Sequence, residues 1–121
     1  MGSPCVFKLY HRDQTVLDRA IKMAQQEVLR LEKKYSRFLA TSELSLINKQ
    51  AGLDPVLVDD ETAGLLNYAA ICFELSDGLF DITSGVLRRI WDFKSSRLPS
   101  QQQLDDTLPV VGFDKIHWDG Q

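Results

Sequence analysis

The residues best placed for chemistry lie in Asp77-Gly78-Leu79-Phe80-Asp81-Ile82-Thr83-Ser84-Gly85-Val86-Leu87, followed by Trp91. Phe80 can stack on a planar group, the Asp81 carboxylate can accept hydrogen bonds, and the Thr83 hydroxyl can donate or accept. Glycines bracket these three side chains, and glycine supplies backbone freedom where a chain must reverse or approach a ligand closely. A loop joining two rigid elements is where binding chemistry tends to sit. The plainer reading of the same spacing is a helix C-cap followed by an N-cap.

The elements around that loop read as follows. Asp59 or Asp60 caps a helix from Glu61 to about Ser76, with Leu65, Leu66, Ala69, Ala70, Cys72 and Phe73 on its apolar face and Gly78 as its stop. A short helix resumes over Val86–Trp91. Upstream, apolar residues at Leu17, Ala20, Ile21, Ala24, Val28, Leu31 and Tyr35 recur in steps of three and four. They predict a long amphipathic helix, about 30 Å in length at its rise per residue. Thr15 with Asp18 is its expected capping pair. Ser42 is the expected cap of a short helix over Glu43–Lys49, and Ser100 with Gln103 forms the capping box of another. The runs Cys5–Tyr10, Val56–Val58 and Lys115–Trp118 are rich in β-formers and read as short strands. The expected fold is therefore α+β: about four helices, with a few short strands forming an incomplete sheet.

At 121 residues, 44% apolar and 26% charged, the composition is that of an ordinary globular domain with room for one core. The formal charge of -3 is spread without a basic stripe, which argues against nucleic acid as a partner. No apolar run reaches the length of a membrane span. The charged start and apolar region of a secretory signal are not seen, so the reading for the chain as it stands is cytoplasmic. Cys5 and Cys72 form no Cys-x-x-Cys pair, and His11 and His117 are isolated. Zinc is not expected, and two small buried thiols are favoured over a disulfide. Trp91 and Trp118 read as core or sheet-face aromatics.

Several segments, in order, carry a resemblance. They are Met1-Gly2-Ser3-Pro4-Cys5, Tyr35-Ser36-Arg37-Phe38, Ser42-Glu43-Leu44-Ser45-Leu46-Ile47-Asn48, Val58-Asp59 through Leu66, Gly78 to Gly85, Trp91-Asp92-Phe93 and Val111-Gly112-Phe113-Asp114. Together they resemble the ApbE family, the FAD:protein FMN transferases, over essentially all of this sequence and the N-terminal third or so of the family's usual length. The resemblance implies residues 1–121 as the N-terminal portion of an ApbE-like flavin transferase domain. It implies FAD as substrate and transfer of FMN to a Thr or Ser hydroxyl of a target flavoprotein, with release of AMP. Mg2+ is implied as well, since a metal neutralises charge developing on the phosphates.

By position, the resemblance places Met1 at the flavin site and Phe38 where the family often carries a Tyr on the flavin. It places Leu79, Phe80 and Asp81 in the Gly-x-Phe-Asp loop that contacts FAD, with Asp81 accepting hydrogen bonds from the ligand. Phe38 keeps an aromatic face without the phenolic hydroxyl. The family's later Asp-x-Gly-Gly-x-x-Lys-Gly segment and its C-terminal Asp/Thr metal cluster are not in these 121 residues, so no metal ligand and no catalytic residue is assigned. Family members are often periplasmic or membrane-anchored. The expectation is a chain of transferase descent that is inactive alone. The alternative is a non-catalytic module that binds flavin, or that recruits or dimerises with another chain through an open sheet edge.

Overall fold

The computed structural model describes residues 4–92, 95 and 97–120. Its elements run α1 (Gln14–Tyr35), α2 (Glu43–Gln50), α3 (Asp60–Leu75), a 3-10 helix Ile82–Arg89, α4 (Gln101–Thr107), and single 3-10 turns at Leu108–Val110 and Phe113–Lys115. The chain divides into two compact units, Met1–Val56 and Leu57–Gln121.

The α+β expectation is corrected: among the described residues there is no strand. The Cys5–Tyr10, Val56–Val58 and Lys115–Trp118 segments carry strand-forming side chains. No ladder of backbone hydrogen bonds joins them to a neighbour. Strand propensity expresses the fit of a side chain to a pleated surface built by cross-strand neighbours, and it has nothing to act on where that surface is missing. The open sheet edge expected as a pairing surface is likewise absent from the described residues.

In the first unit, α1 starts one residue before its expected cap pair. Asp13 is the N-cap, its Oδ1 accepting from the Thr15 amide at 2.8 Å, while Asp18 instead accepts from Gln14 Nε2 at 2.8 Å. A carboxylate at that position both satisfies an orphan amide and opposes the helix dipole. Lys33 and Lys34 close the helix with the complementary charge. The expected apolar face is real: Leu17, Ala20, Ala24, Val28, Leu31 and Tyr35 are half-buried, and Ile21 alone of the set is exposed.

Helices α1 and α2 pack through the turn between them. Ser42, 2% exposed, caps α2 by accepting from the Ser45 amide at 3.0 Å. Its hydroxyl donates to the Ser36 carbonyl, which Ser45 Oγ also approaches at 3.3 Å. Lys34 and Glu43 pair across the turn at 3.7 Å, both side chains largely covered. Ser42→Ala removes a cap and a carbonyl partner together. It is expected to cost about 1–2 kcal/mol, read as a lower midpoint in thermal unfolding followed by circular dichroism.

In the second unit, Asp59 caps α3 through the Thr62 amide at 3.0 Å, and α4 carries the expected Ser100–Gln103 capping box. On α3, Thr62 and Ala69 are buried, with Leu66, Ala70, Cys72 and Phe73 half-buried and Leu65 exposed. Trp91 and Trp118 are half-buried, and Trp118 Nε1 donates to Asn67 Oδ1 at 2.7 Å. Cys5 and Cys72 are free thiols, the first exposed and the second half-buried, where two buried thiols were expected.

The expected single core is not seen either. Ala69 is the one buried apolar residue among those described, and Val6, Tyr10, Met23, Leu29, Leu57, Tyr68 and Leu75 are all exposed. Caps, turns and side-chain hydrogen bonds therefore do much of the local shaping that a core does elsewhere.

Candidate functional site

The loop after α3 is built residue by residue from its end. Ser76 closes the helix with its amide on the Cys72 carbonyl at 3.1 Å. Asp77 then enters the left-handed region at φ 53°, followed by Gly78 at φ 78°. The Gly78 amide reaches back to the Phe73 carbonyl at 2.9 Å, the six-to-one bond of a Schellman-type ending. Two left-handed residues in succession turn the chain out of the helix, and the second needs to be glycine. Ser76 Oγ accepts from the Phe80 amide at 2.8 Å and donates to the Phe73 carbonyl at 3.1 Å, which fixes the backbone of the loop's aromatic residue. Leu79, 92% exposed, and Phe80, 47% exposed, thus form an apolar display on a tied backbone.

Asp81 faces the other way. Its Oδ1 accepts from the Thr83 amide at 2.7 Å and the Thr83 hydroxyl at 2.6 Å, making it the N-cap of the Ile82–Arg89 helix. Its Oδ2 accepts from the Phe113 amide at 3.0 Å. Thr83 Oγ1 in turn accepts from the Gly112 amide at 2.8 Å. Two side chains of the loop therefore grip two consecutive amides about thirty residues away in sequence. The grip is backed by Phe113, whose ring stacks on Phe73 with centroids 5.1 Å apart and planes 22° off parallel. Lys115 Nζ draws the Pro109 and Val111 carbonyls together. A carboxylate has about four acceptor positions. With three occupied, Asp81 retains one on Oδ2.

Phe38 belongs to the first unit. It lies 76% exposed in the turn between α1 and α2, its amide donating to Ser36 Oγ at 3.2 Å. The Arg37 guanidinium sits 4.6 Å from its ring centroid, a cation–π arrangement. Phe38 and Leu39 border an open groove of about 420 Å³, together with Leu29, Glu32, Lys33 and Ser36. Met1 lies outside the described residues, as does Phe93 of the Trp91-Asp92-Phe93 segment. Leu79, Phe80 and Asp81 share one loop.

Three participants were missed by reasoning from residue types: Ser76, which holds the Phe80 amide, Gly112 and Phe113. The signal for the last two was the Val111-Gly112-Phe113-Asp114 segment, whose glycine and aromatic mark a close backbone approach and a packing anchor. Among the described residues, no three His, Cys, Asp or Glu side chains cluster together. No described helix is long and apolar enough to cross a membrane.

The chain belongs to the ApbE family, whose pattern it matches over residues 1–121. It is similar to an FAD:protein FMN transferase of Treponema pallidum, 27% identical over 97% of this chain and 33% of that protein. It is also similar to one of Chlamydia muridarum, 32% identical over 81% of this chain and 33% of that protein. Among solved structures, the ApbE protein of Thermotoga maritima superposes with a TM-score of 0.63 at 31% identity, covering 84% of this chain and 34% of that one. The chain spans about a third of the length of the relatives it matches.

Proposed function

We propose that this chain supplies flavin-contacting surface for an FAD:protein FMN transferase. The reaction moves FMN from FAD to a Thr or Ser hydroxyl of a target flavoprotein. The acceptor oxygen forms a bond to the FMN phosphorus, the pyrophosphate P–O bond to AMP breaks, and the hydroxyl proton is lost. Mg2+ would neutralise charge developing on the phosphates when bound.

The observation that carries the reading is the Leu79–Phe80 display. An aromatic that is half-exposed while its backbone amide is held by Ser76 is preorganised for stacking, so little conformational entropy is lost on binding. Asp81 keeps one acceptor position for a ligand donor, and Phe38 offers an exposed ring in the first unit. Support for the flavin chemistry comes from family membership and from the relatives named as FAD:protein FMN transferases.

The test is titration of the purified chain with FAD, followed by flavin fluorescence and AMP release, with and without Mg2+. Saturable binding is expected. Phe80→Ala and Phe38→Ala are each expected to raise the Kd about five- to tenfold, near the low end of aromatic–base stacking energies. Equal affinity in both variants and the parent removes these residues from the site. The second reading, a flavin-holding or protein-interaction module without transfer, is favoured by the many exposed apolar side chains, since such surface marks interaction sites. AMP release in the same titration overturns it.

A further inference from the structure

Thr83 is a polar residue of the loop to which the proposed flavin site gives no role. Its hydroxyl, like the Asp81 carboxylate, touches both sides of the loop's anchorage. It donates to Asp81 Oδ1 at 2.6 Å and accepts from the Gly112 amide at 2.8 Å. The residue is half-buried, which strengthens both bonds relative to an exposed pair. The neighbouring Asp81–Phe113 bond at 3.0 Å runs beside it, so a hydroxyl and a carboxylate close a two-point clasp on consecutive amides. Gly112 takes φ 151°, a conformation that leaves its amide free to be met by Thr83 and closed to residues with a Cβ.

We propose that Thr83 is a positioning residue for the FAD-receiving loop. By pinning Asp81 against Gly112 and Phe113, it holds the chain immediately after Leu79 and Phe80 in the shape that displays them. The proposal rests on the flavin reading of that loop. It assigns Thr83 no contact with FAD. Its effect passes through Asp81, whose carboxylate is oriented by the Thr83 hydroxyl on one oxygen and by the Phe113 amide on the other. The chemistry required is specific: a hydroxyl that donates and accepts at once. Serine provides this, and valine, of nearly the same shape, does not.

The experiment uses the full chain as Thr83→Val, Thr83→Ala and Thr83→Ser, with two readouts. The first is hydrogen exchange of the individual amides in the absence of ligand, by NMR. The second is the FAD titration described above. Without the hydroxyl, the Gly112 amide is expected to exchange about tenfold faster and the Kd for FAD to rise about tenfold, the size of effect one hydrogen bond supports. Thr83→Ser is expected to stay within about twofold of the parent on both counts.

Unchanged Gly112 exchange in Thr83→Val and Thr83→Ala overturns the clasp. Faster Gly112 exchange with parental FAD affinity overturns the positioning role while leaving the flavin reading in place. Exchange that rises across α3 as much as at Gly112 reports general unfolding and also overturns a local role. A parent chain that fails to bind FAD overturns the flavin reading and with it the positioning role. In that case the Gly112 result still tells whether the clasp exists.

Discussion

Asp81→Ala is expected to be among the most destabilising single substitutions in the second unit, at about 2–4 kcal/mol. The loss has three parts. The Thr83 amide loses its cap, the Thr83 hydroxyl loses its acceptor, and the Phe113 amide loses its partner. Each bond goes to an ionised oxygen, which makes it stronger than a neutral one. The half-buried setting of Asp81 keeps the sum below three fully buried bonds. Asp81→Asn separates the contributions. Its Oδ1 can still accept from Thr83, while its NH2 meets the Phe113 amide donor to donor. An intermediate loss is expected, with faster exchange at Phe113 and little change at Thr83. Urea unfolding followed by circular dichroism gives the magnitudes, and amide exchange gives the location. A midpoint for Asp81→Ala equal to the parent's would mean that the clasp contributes nothing to stability.

Gly112→Ala is the second large effect, expected at about 2–4 kcal/mol from backbone strain and steric conflict together. At φ 151° an L side chain is strained whatever the space around it. Here there is also no space: a Cβ would stand 2.5 Å from Asp114 Oδ1 and 3.1 Å from Lys115 Nζ. Both neighbours are side-chain ends that can shift, but moving Lys115 releases the Pro109 and Val111 carbonyls it holds. Gly78→Ala makes the useful contrast. Its φ is also positive, at 78°, yet a Cβ there meets only the Phe73 ring at an ordinary 3.6 Å. Its cost is expected near 1–2 kcal/mol, from the left-handed backbone alone. Since Asp81 and Gly112 act on one clasp, the double variant Asp81→Ala/Gly112→Ala is expected to lose less than the sum of the two. Strict additivity would place the two residues in separate structural roles.

Both effects bear on the loop reading made from residue types. Asp81 and Thr83 read there as ligand-facing groups or, on the plainer reading, as a helix start. Their geometry is that of a helix start, with a second duty toward Gly112 and Phe113. The plainer reading of the loop was right about the caps and could not anticipate the clasp, because the partners are two backbone amides about thirty residues downstream. A backbone amide carries no sequence signal of its own. Their trace in the sequence is the Val111-Gly112-Phe113-Asp114 segment, one of those that carry the family resemblance.

Local, directional information was legible in large part, although Asp13 rather than Thr15 with Asp18 caps α1, and the helix expected over Val86–Trp91 is a 3-10 helix over Ile82–Arg89. Ser42, Asp59 and Ser100 cap their helices because each presents a short polar side chain ahead of an apolar period. The three-and-four spacing from Leu17 to Tyr35 marks the less exposed face of α1 because helical geometry places those side chains in one row. The family was legible too, since it rests on the order of many short segments. What only the tertiary structure decided was whether Cys5–Tyr10, Val56–Val58 and Lys115–Trp118 become strands, how deeply the apolar stripes are covered, and which groups Asp81 and Thr83 hold. A helix closes its hydrogen bonds within a few residues and so is written locally. A strand, a core and a clasp each need a partner brought from elsewhere in space, and a run of residue types does not contain that partner.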